Sequence, residues 1–387
     1  MTGPKNPFKA TLGKTPPELV GRDEAISDFS SALEEGPGSH ERVSLITGPR
    51  GIGKTVLLNA FEDQARERGW RVFSVTATPG FVTRLRDSFF RAISVERDTN
   101  RRRLSGLALS AFSVNWENAE SHLPELTLRD VLGELLALQR ELDRMTGQEP
   151  AGVLITVDEL HYSNQAEVIE LGETIQHLVR EDEEIAVAMA GIPSAVKPLL
   201  ADDDGRNPVT FLRRANRVEL GPVRDEDVEW GLQKPVEDVG RRWERMALDL
   251  AVLACGGYPF MIQLVGHWVF RRSEGEEITV QAAELGIRKA QRALGQLVHE
   301  PALQDLSATD RTFLIVMAQD EGISKIADIA SRMKVDKQDA NVYRRRLIEA
   351  GMIRPVALGH IAFELPYMRD YLRDHAASDG FEAIRDL

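Results

Sequence analysis

An α/β fold, a doubly wound parallel sheet followed by two smaller modules, is predicted by three observations on this chain of 387 residues. Short apolar, β-branched runs alternate with helical periodicity as far as about residue 222, the pattern of a parallel sheet covered by helices on both faces. Beyond Pro222 the apolar spacing becomes purely helical. Between a first apolar run and a first strongly helical one sits a glycine-rich turn, GPRGIGKT at residues 48–55, the order in which a helix N-terminus faces a phosphate.

Taken in order, residues 1–15 are rich in Gly, Pro and Lys and predict an extended arm, and residues 16–222 predict the sheet domain. Within it, helical spacing covers 24–33, the first strand 42–47, a second strand 72–76 and a helix 81–93. Polar and apolar alternation at 104–116 suggests an inserted hairpin. An amphipathic helix over 126–145 leads to a buried type of strand at 152–157, and 185–190 and 217–220 complete the sheet. Residues 223–300 predict a helical bundle, with helices over 225–232, 242–255, 259–271 and 280–294 and turns at Gly256-Gly257 and Gly275. A small bundle directly after a nucleotide-binding sheet serves as a lid. Residues 301–375 predict a winged helix: helices at 310–318, 323–333 and 337–350, then a hairpin at 353–363 that turns at Gly359. Residues 376–387 form a tail.

The turn at 48–55 matches the Walker A pattern, which marks the domain as a P-loop NTPase. Glycine is needed because backbone amides must turn inward around phosphate oxygens. Gly48, Gly51, Ile52, Gly53, Lys54, Thr55 and Val56 are therefore the candidate phosphate site, with Lys54 a point charge for the β- and γ-phosphates and Thr55 a hydroxyl for Mg²⁺. The strand GVLITV ends in Asp158-Glu159, so Asp158 is the Walker B carboxylate for the Mg²⁺ shell and Glu159 the candidate general base. That pairing favours hydrolysis over binding alone.

Between Arg332 and Arg354 the basic residues outnumber the acidic ones inside an acidic protein, a local footprint of phosphate contacts. Lys337, Gln338, Asn341, Arg344 and Arg345 are the candidate DNA-binding residues, with duplex DNA the partner. Winged helices also dock proteins or fold back on their own core, so a protein partner stays open. The formal charge of −13 argues against a surface that coats nucleic acid generally. A lone cysteine, Cys255, excludes an internal disulfide and fits a reducing compartment. With no apolar run of membrane-spanning length and no leader-like start, the expectation is a soluble cytoplasmic protein.

The ordered set Leu19-Val20-Gly21-Arg22-Asp23-Glu24, Walker A, Walker B and Gly257-Tyr258-Pro259 resembles AAA+ ATPases of the origin-recognition/initiator type and the neighbouring STAND signalling ATPases, from about residue 16 to 375. The resemblance implies ATP as ligand, with Val20, Gly21 and Arg22 over the base and Pro259 approaching from the lid. It also implies that an arginine just before the last sheet strand, Arg213, Arg214 or Arg217, reaches a neighbouring subunit's nucleotide, which would require a homo-oligomer. A salt-bridged surface cluster is the other reading of those arginines. The chain departs from the initiator pattern twice. Gly-Tyr-Pro stands where a lid arginine is usual, and Ala190-Gly191-Ile192-Pro193, with Ser194 beyond, where a polar sensor ends the strand. Slow hydrolysis is the consequence expected. His161, after the Walker B strand, is a further candidate for sensing the γ-phosphate.

Overall fold

A computed structural model describes residues 4–11, 13–104, 126–160, 165–193, 196 and 212–375. The suggested hairpin at 104–116, apart from Leu104 at a helix end, lies outside the described residues, as do His161, Ser194 and the tail at 376–387.

Five strands, β1 (Val43–Thr47), β2 (Arg71–Thr76), β3 (Val153–Asp158), β4 (Ile185–Gly191) and β5 (Asn216–Glu219), pair in parallel in the order β2-β3-β4-β1-β5. β4 is buried along its whole length, whereas the edge strands β2 and β5 are not, which is why only the central strands read as continuous apolar runs. Alternate side chains point to opposite faces. Ile46, Leu154, Ala186, Ala188 and Ala190 pack beneath α1 (Asp23–Glu35) and α2 (Lys54–Glu67), where Phe29 and Phe61 stack with ring centroids 4.0 Å apart. Val43, Leu45, Ile155, Val187 and Met189 meet α3 (Phe81–Leu104), α4 (Leu128–Thr146) and α5 (Gln165–Arg180) on the other face. Local chemistry sets the helix bounds: Thr127 and Asp130 form a capping box at the start of α4, and Gly147, at φ 65°, stops it.

The next module holds α6 (Asp225–Asp238), α7 (Arg245–Cys255), α8 (Pro259–Arg272) and α9 (Val280–Leu294). Two expectations are corrected here. α6 runs past Pro235 because Pro235 and Val236 are buried and packing outweighs the missing amide. The expected helix from 242 begins instead as a strand, β6 (Arg242–Trp243), paired in parallel with β7 (Glu277–Ile278). Trp243 fixes that start, its indole N–H donating to the Leu232 carbonyl.

A π-helical turn at Gly295–His299 and α10 (Glu300–Gln304) lead into the C-terminal module. There α11 (Ala308–Ala318), α12 (Ile326–Met333) and α13 (Lys337–Glu349) carry an antiparallel sheet β8-β10-β9 of Ser324–Lys325, His360–Phe363 and Ile353–Ala357, and α14 (Met368–His375) closes the module. The expected helix from 323 thus gives its first residues to β8. One apolar core continues from α2 through Leu220, Val223 and Met261 to Phe313 and Leu372, so the three modules share buried surface. Residues 4–11 are not loose either: Phe8 is 4% exposed and packs on α8.

Candidate functional site

The phosphate loop leaves the end of β1 and enters α2, and the end of β3 lies two strands away across β4, so the site forms where the connections diverge at the carboxyl edge of the sheet. Gly51 and Gly53 sit at φ 72° and 99°, in the left-handed region that turns successive amides to one side. Gly48 is a glycine for packing, since a Cβ there would lie 2.7 Å from the Leu220 carbonyl oxygen.

Lys54 is 8% exposed, and its Nζ donates to the carbonyls of Gly48 and Pro49 at 2.9 and 2.8 Å. Burial lowers its pKa to about 8, against the raising fields of Glu159 and Asp158, with Arg50 lowering it slightly. Thr55 Oγ1 donates to Asp158 Oδ2 at 2.6 Å, bringing together the two residues assigned to Mg²⁺. Asp158 Oδ1 accepts the Glu159 amide at 2.8 Å, and Glu159 itself adopts φ 59°. Burial, then the Asp158 charge, raises the Glu159 carboxyl above its ordinary range, while Lys54 and Arg50 partly offset this. The residues present fit a magnesium–nucleotide: an inward-turned amide loop, one ammonium, and a hydroxyl and carboxylate already in contact.

A cavity of about 310 Å³ opens beside this loop, lined by Val20, Arg22, Gly51, Ile52, Gly53, Lys54, Thr55, Val56, Glu159 and Pro259. Arg22 donates to the carbonyls of Gly21, Ile52 and Gly221, tying the segment before α1 to the phosphate loop; burial lowers its pKa. Gly21 serves the turn, at φ 65°, with Val223 and Asp227 in the space a Cβ would need. Pro259 opens α8 as its first residue.

Several contributors escaped the sequence reading. Tyr258 Oη donates to the Arg50 carbonyl at 2.6 Å. Arg50 also pairs with Asp305 of the C-terminal module at 3.4 Å. Lys9, Lys14 and Gln263 line the cavity from the N-terminal segment and α8. Only a Gly-Tyr-Pro turn hinted at the first; the others rest on distant parts of the chain.

Arg213 and Arg214 are not brought to this site. They occupy a short turn, Leu212–Arg214, before β5, at the opposite edge of the sheet, where His40 Nε2 lies 2.7 Å from the Arg214 carbonyl oxygen. A strand the length of β1 separates the two edges by roughly 15 Å.

On α13, Lys337, Gln338, Asn341 and Arg345 are exposed and Arg344 is half-buried. All five line a cleft of about 1350 Å³ whose far wall includes Pro49 of the phosphate loop and Ile192 and Pro193 after β4. Other basic residues of the segment are engaged in the fold: Arg346 pairs with buried Asp310 at 2.6 Å, and Arg332 with Asp320 at 2.7 Å. Among the described residues no helix is long and apolar enough to cross a membrane.

Residues 18–187 match the family described as AAA ATPase domain, and residues 296–372 match a domain of unknown function (DUF8462). The Walker-type ATPase PABY2304 of Pyrococcus abyssi is 16% identical, aligned over 94% of this chain and 100% of its own, with a TM-score of 0.66. The RuvB Holliday junction branch migration motor of Thermotoga maritima is 16% identical over 92% of this chain and 96% of its own, TM-score 0.44. Cdc6p of Pyrobaculum aerophilum is 14% identical over 94% and 96%, TM-score 0.40. No curated protein matches. At its identity the P. abyssi likeness speaks for the fold alone. The family match and the site geometry together support an AAA+ P-loop ATPase domain within the first half of the chain.

Proposed function

We propose that the protein is a Mg²⁺-dependent ATP hydrolase working as a slow molecular switch, and that it engages duplex DNA through a C-terminal winged helix. The observation that carries the ATPase reading is the 2.6 Å contact of Thr55 with Asp158 beside buried Lys54 and Glu159. Lys54 exchanges two backbone carbonyls for phosphate oxygens, Thr55 and Asp158 hold Mg²⁺, and Glu159 takes the proton of the attacking water. When bound, Mg²⁺ would supply positive charge to the transferring phosphoryl group. The raised pKa of Glu159, caused by burial and the Asp158 charge, makes it a stronger proton acceptor than an ordinary carboxylate. Arg213 and Arg214, lying at the far edge, are assigned to a neighbouring subunit's nucleotide, so full turnover requires a homo-oligomer.

Residues 223–300 act as the lid and residues 301–375 as the winged helix, with Asp305 and Tyr258 linking both modules to Arg50. Hydrolysis and release then alter the contacts that hold these modules in place. A second reading is supported by the cleft: because α13 faces Pro49 and Pro193, the winged helix is also placed to dock on the core and restrain it, as in a STAND-like signalling switch that engages a protein partner. Fluorescence anisotropy of labelled duplex DNA with Glu159→Gln protein, under ATP, ADP and no nucleotide across a salt series, separates the two. Nucleotide-dependent binding that weakens steeply with salt supports the DNA reading. No binding at low salt in any state overturns it in favour of the protein-docking one.

A further inference from the structure

The cavity beside the phosphate loop has two walls from distant parts of the sequence. One is the loop itself; the other is built by Lys9, Thr11, Gly13 and Lys14. Both ends of that second wall are tied down. Phe8, 4% exposed, lies against α8 at Gly266, where an added Cβ would fall 2.3 Å from the Phe8 ring. Asn6 Nδ2 donates to the His267 carbonyl at 3.0 Å, and the Lys9 amide donates to Oε1 of Gln263, itself 8% exposed, at 3.1 Å. At the other end Asn59 of α2 donates to the Gly13 carbonyl at 3.2 Å, and Gly13 stands beside the Thr55 methyl. The segment therefore spans from the helical module to the helix that starts at Lys54.

We infer that this N-terminal segment is part of the nucleotide site: it straps α8 to α2 across the bound nucleotide and sets the rate at which the nucleotide leaves. The inference rests on the reading of the cavity as a nucleotide site. A ligand between the two walls is released when the segment lifts from α8, so weakening the Phe8 anchor raises the dissociation rate far more than it changes association. Phe8 and Gly266 are positioning residues here. Neither lines the cavity, and Gly266 is a glycine because the Phe8 ring occupies its side-chain space.

Stopped-flow fluorescence of mant-ADP with a chase of unlabelled ADP tests this on the full chain. Gly266→Ala places a better helix former in α8 and displaces the Phe8 ring, and release is expected to quicken about tenfold with little change in association rate. Asn6→Ala, which removes hydrogen bonds from a half-buried residue and leaves the core intact, is expected to move release in the same direction. Release within about twofold of the parent rate in both variants overturns the inference, because a segment that only stabilises α8 would shift the melting temperature and not the release. Lys54→Ala keeps the two readings apart. If that variant binds mant-ADP like the parent, the site reading has failed. If it loses binding while Gly266→Ala releases normally, the strap alone has failed.

Discussion

The phenol of Tyr258 donates to the carbonyl of Arg50 at 2.6 Å and fills the space above Gly51, where an added Cβ would stand 1.8 Å from the phenolic oxygen. The Gly257-Tyr258-Pro259 turn therefore grips the backbone of the phosphate loop. Tyr258 is 5% exposed, and burial raises its pKa, so the group remains a neutral donor at every working pH. Tyr258→Phe deletes the donor and is expected to cost about 1 kcal/mol, whereas Tyr258→Ala costs about 3–5 kcal/mol. Gly51→Ala carries both a clash with Tyr258 and the strain of φ 72°. In a double-mutant cycle followed by urea denaturation, Gly51→Ala should cost less in the Tyr258→Ala background than in the parent. Equal costs would show that the clash does not govern Gly51.

Lys54 gives a pH dependence with a definite sign. Its pKa falls from 10.5 to about 8 in the folded protein. Between those values the unfolded chain holds a proton that the folded one does not, so folding gains stability as pH rises from about 8 to 10.5 and loses it on return. Phosphate binding asks for the ammonium form. ADP affinity is therefore expected to decline as pH rises through about 8, by up to tenfold per unit. Lys54→Arg stays protonated and should flatten the profile whatever its absolute affinity. Isothermal titration from pH 7 to 9.5 checks both curves.

How far the sequence reveals this molecule follows from where its information is local. The Walker A turn and the Asp158-Glu159 strand end are fixed by neighbours a few residues apart, and both are legible; the caps at Thr127, Thr279, Ser307 and Asp336 are equally local but are identified only in the structure. Short strands are not legible. Arg242–Trp243 and Ser324–Lys325 are too brief to show a period of two, and each exists because a distant strand pairs with it. The bonds that complete the site span larger gaps still. Tyr258 to Arg50, Arg50 to Asp305 and Asn59 to Gly13 join modules through contacts that no local pattern encodes. The basic run at 332–354 misled in detail for the same reason, since Arg346 and Arg332 resemble phosphate ligands until Asp310 and Asp320 are seen beside them.

Thr55 and Asp158 should be separable from Glu159 by kinetics. Asp158→Asn weakens the carboxylate shared with Thr55 and is expected to abolish the Mg²⁺ dependence of nucleotide affinity, while magnesium-free binding persists. Glu159→Gln keeps the binding groups and removes the carboxylate proposed as the base, so ATP affinity should hold while turnover falls about 10²- to 10⁴-fold. Phosphate release and equilibrium binding measured on both variants test this. Loss of binding in Glu159→Gln would reassign that residue to the ligand shell.

His299 joins the π-helical turn to the last helix. It is 1% exposed, its Nε2 lies 2.9 Å from the Pro366 carbonyl oxygen, and its Nδ1 is buried without a hydrogen bond. Burial lowers its pKa from 6.5 to about 4, against a smaller raising effect of the Pro366 carbonyl. In that window the unfolded chain takes up a proton that the folded one refuses, so stability drops as pH falls from 6.5 towards 4, by about 3 kcal/mol in full. Chemical denaturation of the parent and of His299→Met at pH 7 and pH 4.5 should show the parent losing the more between the two values. Parallel losses would place the acid sensitivity elsewhere.

The basic residues of α13 divide into two groups that respond differently to mutation. Arg346 is held by Asp310, which is 5% exposed and also accepts from the Ser307 hydroxyl, so removing the guanidinium strands a buried carboxylate. Arg346→Ala is expected to cost about 3–5 kcal/mol of stability with little direct effect on DNA. Lys337 and Arg345 are exposed on the cleft, and their replacement by alanine should leave stability within about 0.5 kcal/mol of the parent. If α13 contacts phosphates, each of those two substitutions weakens duplex binding and reduces the slope of log affinity against log salt by about one. If α13 instead docks on the core, the same substitutions leave the salt slope unchanged and alter basal ATP turnover, because the cleft they line is bounded by Pro49 of the phosphate loop. Measuring salt slope and turnover on the same two variants decides which partner this helix serves.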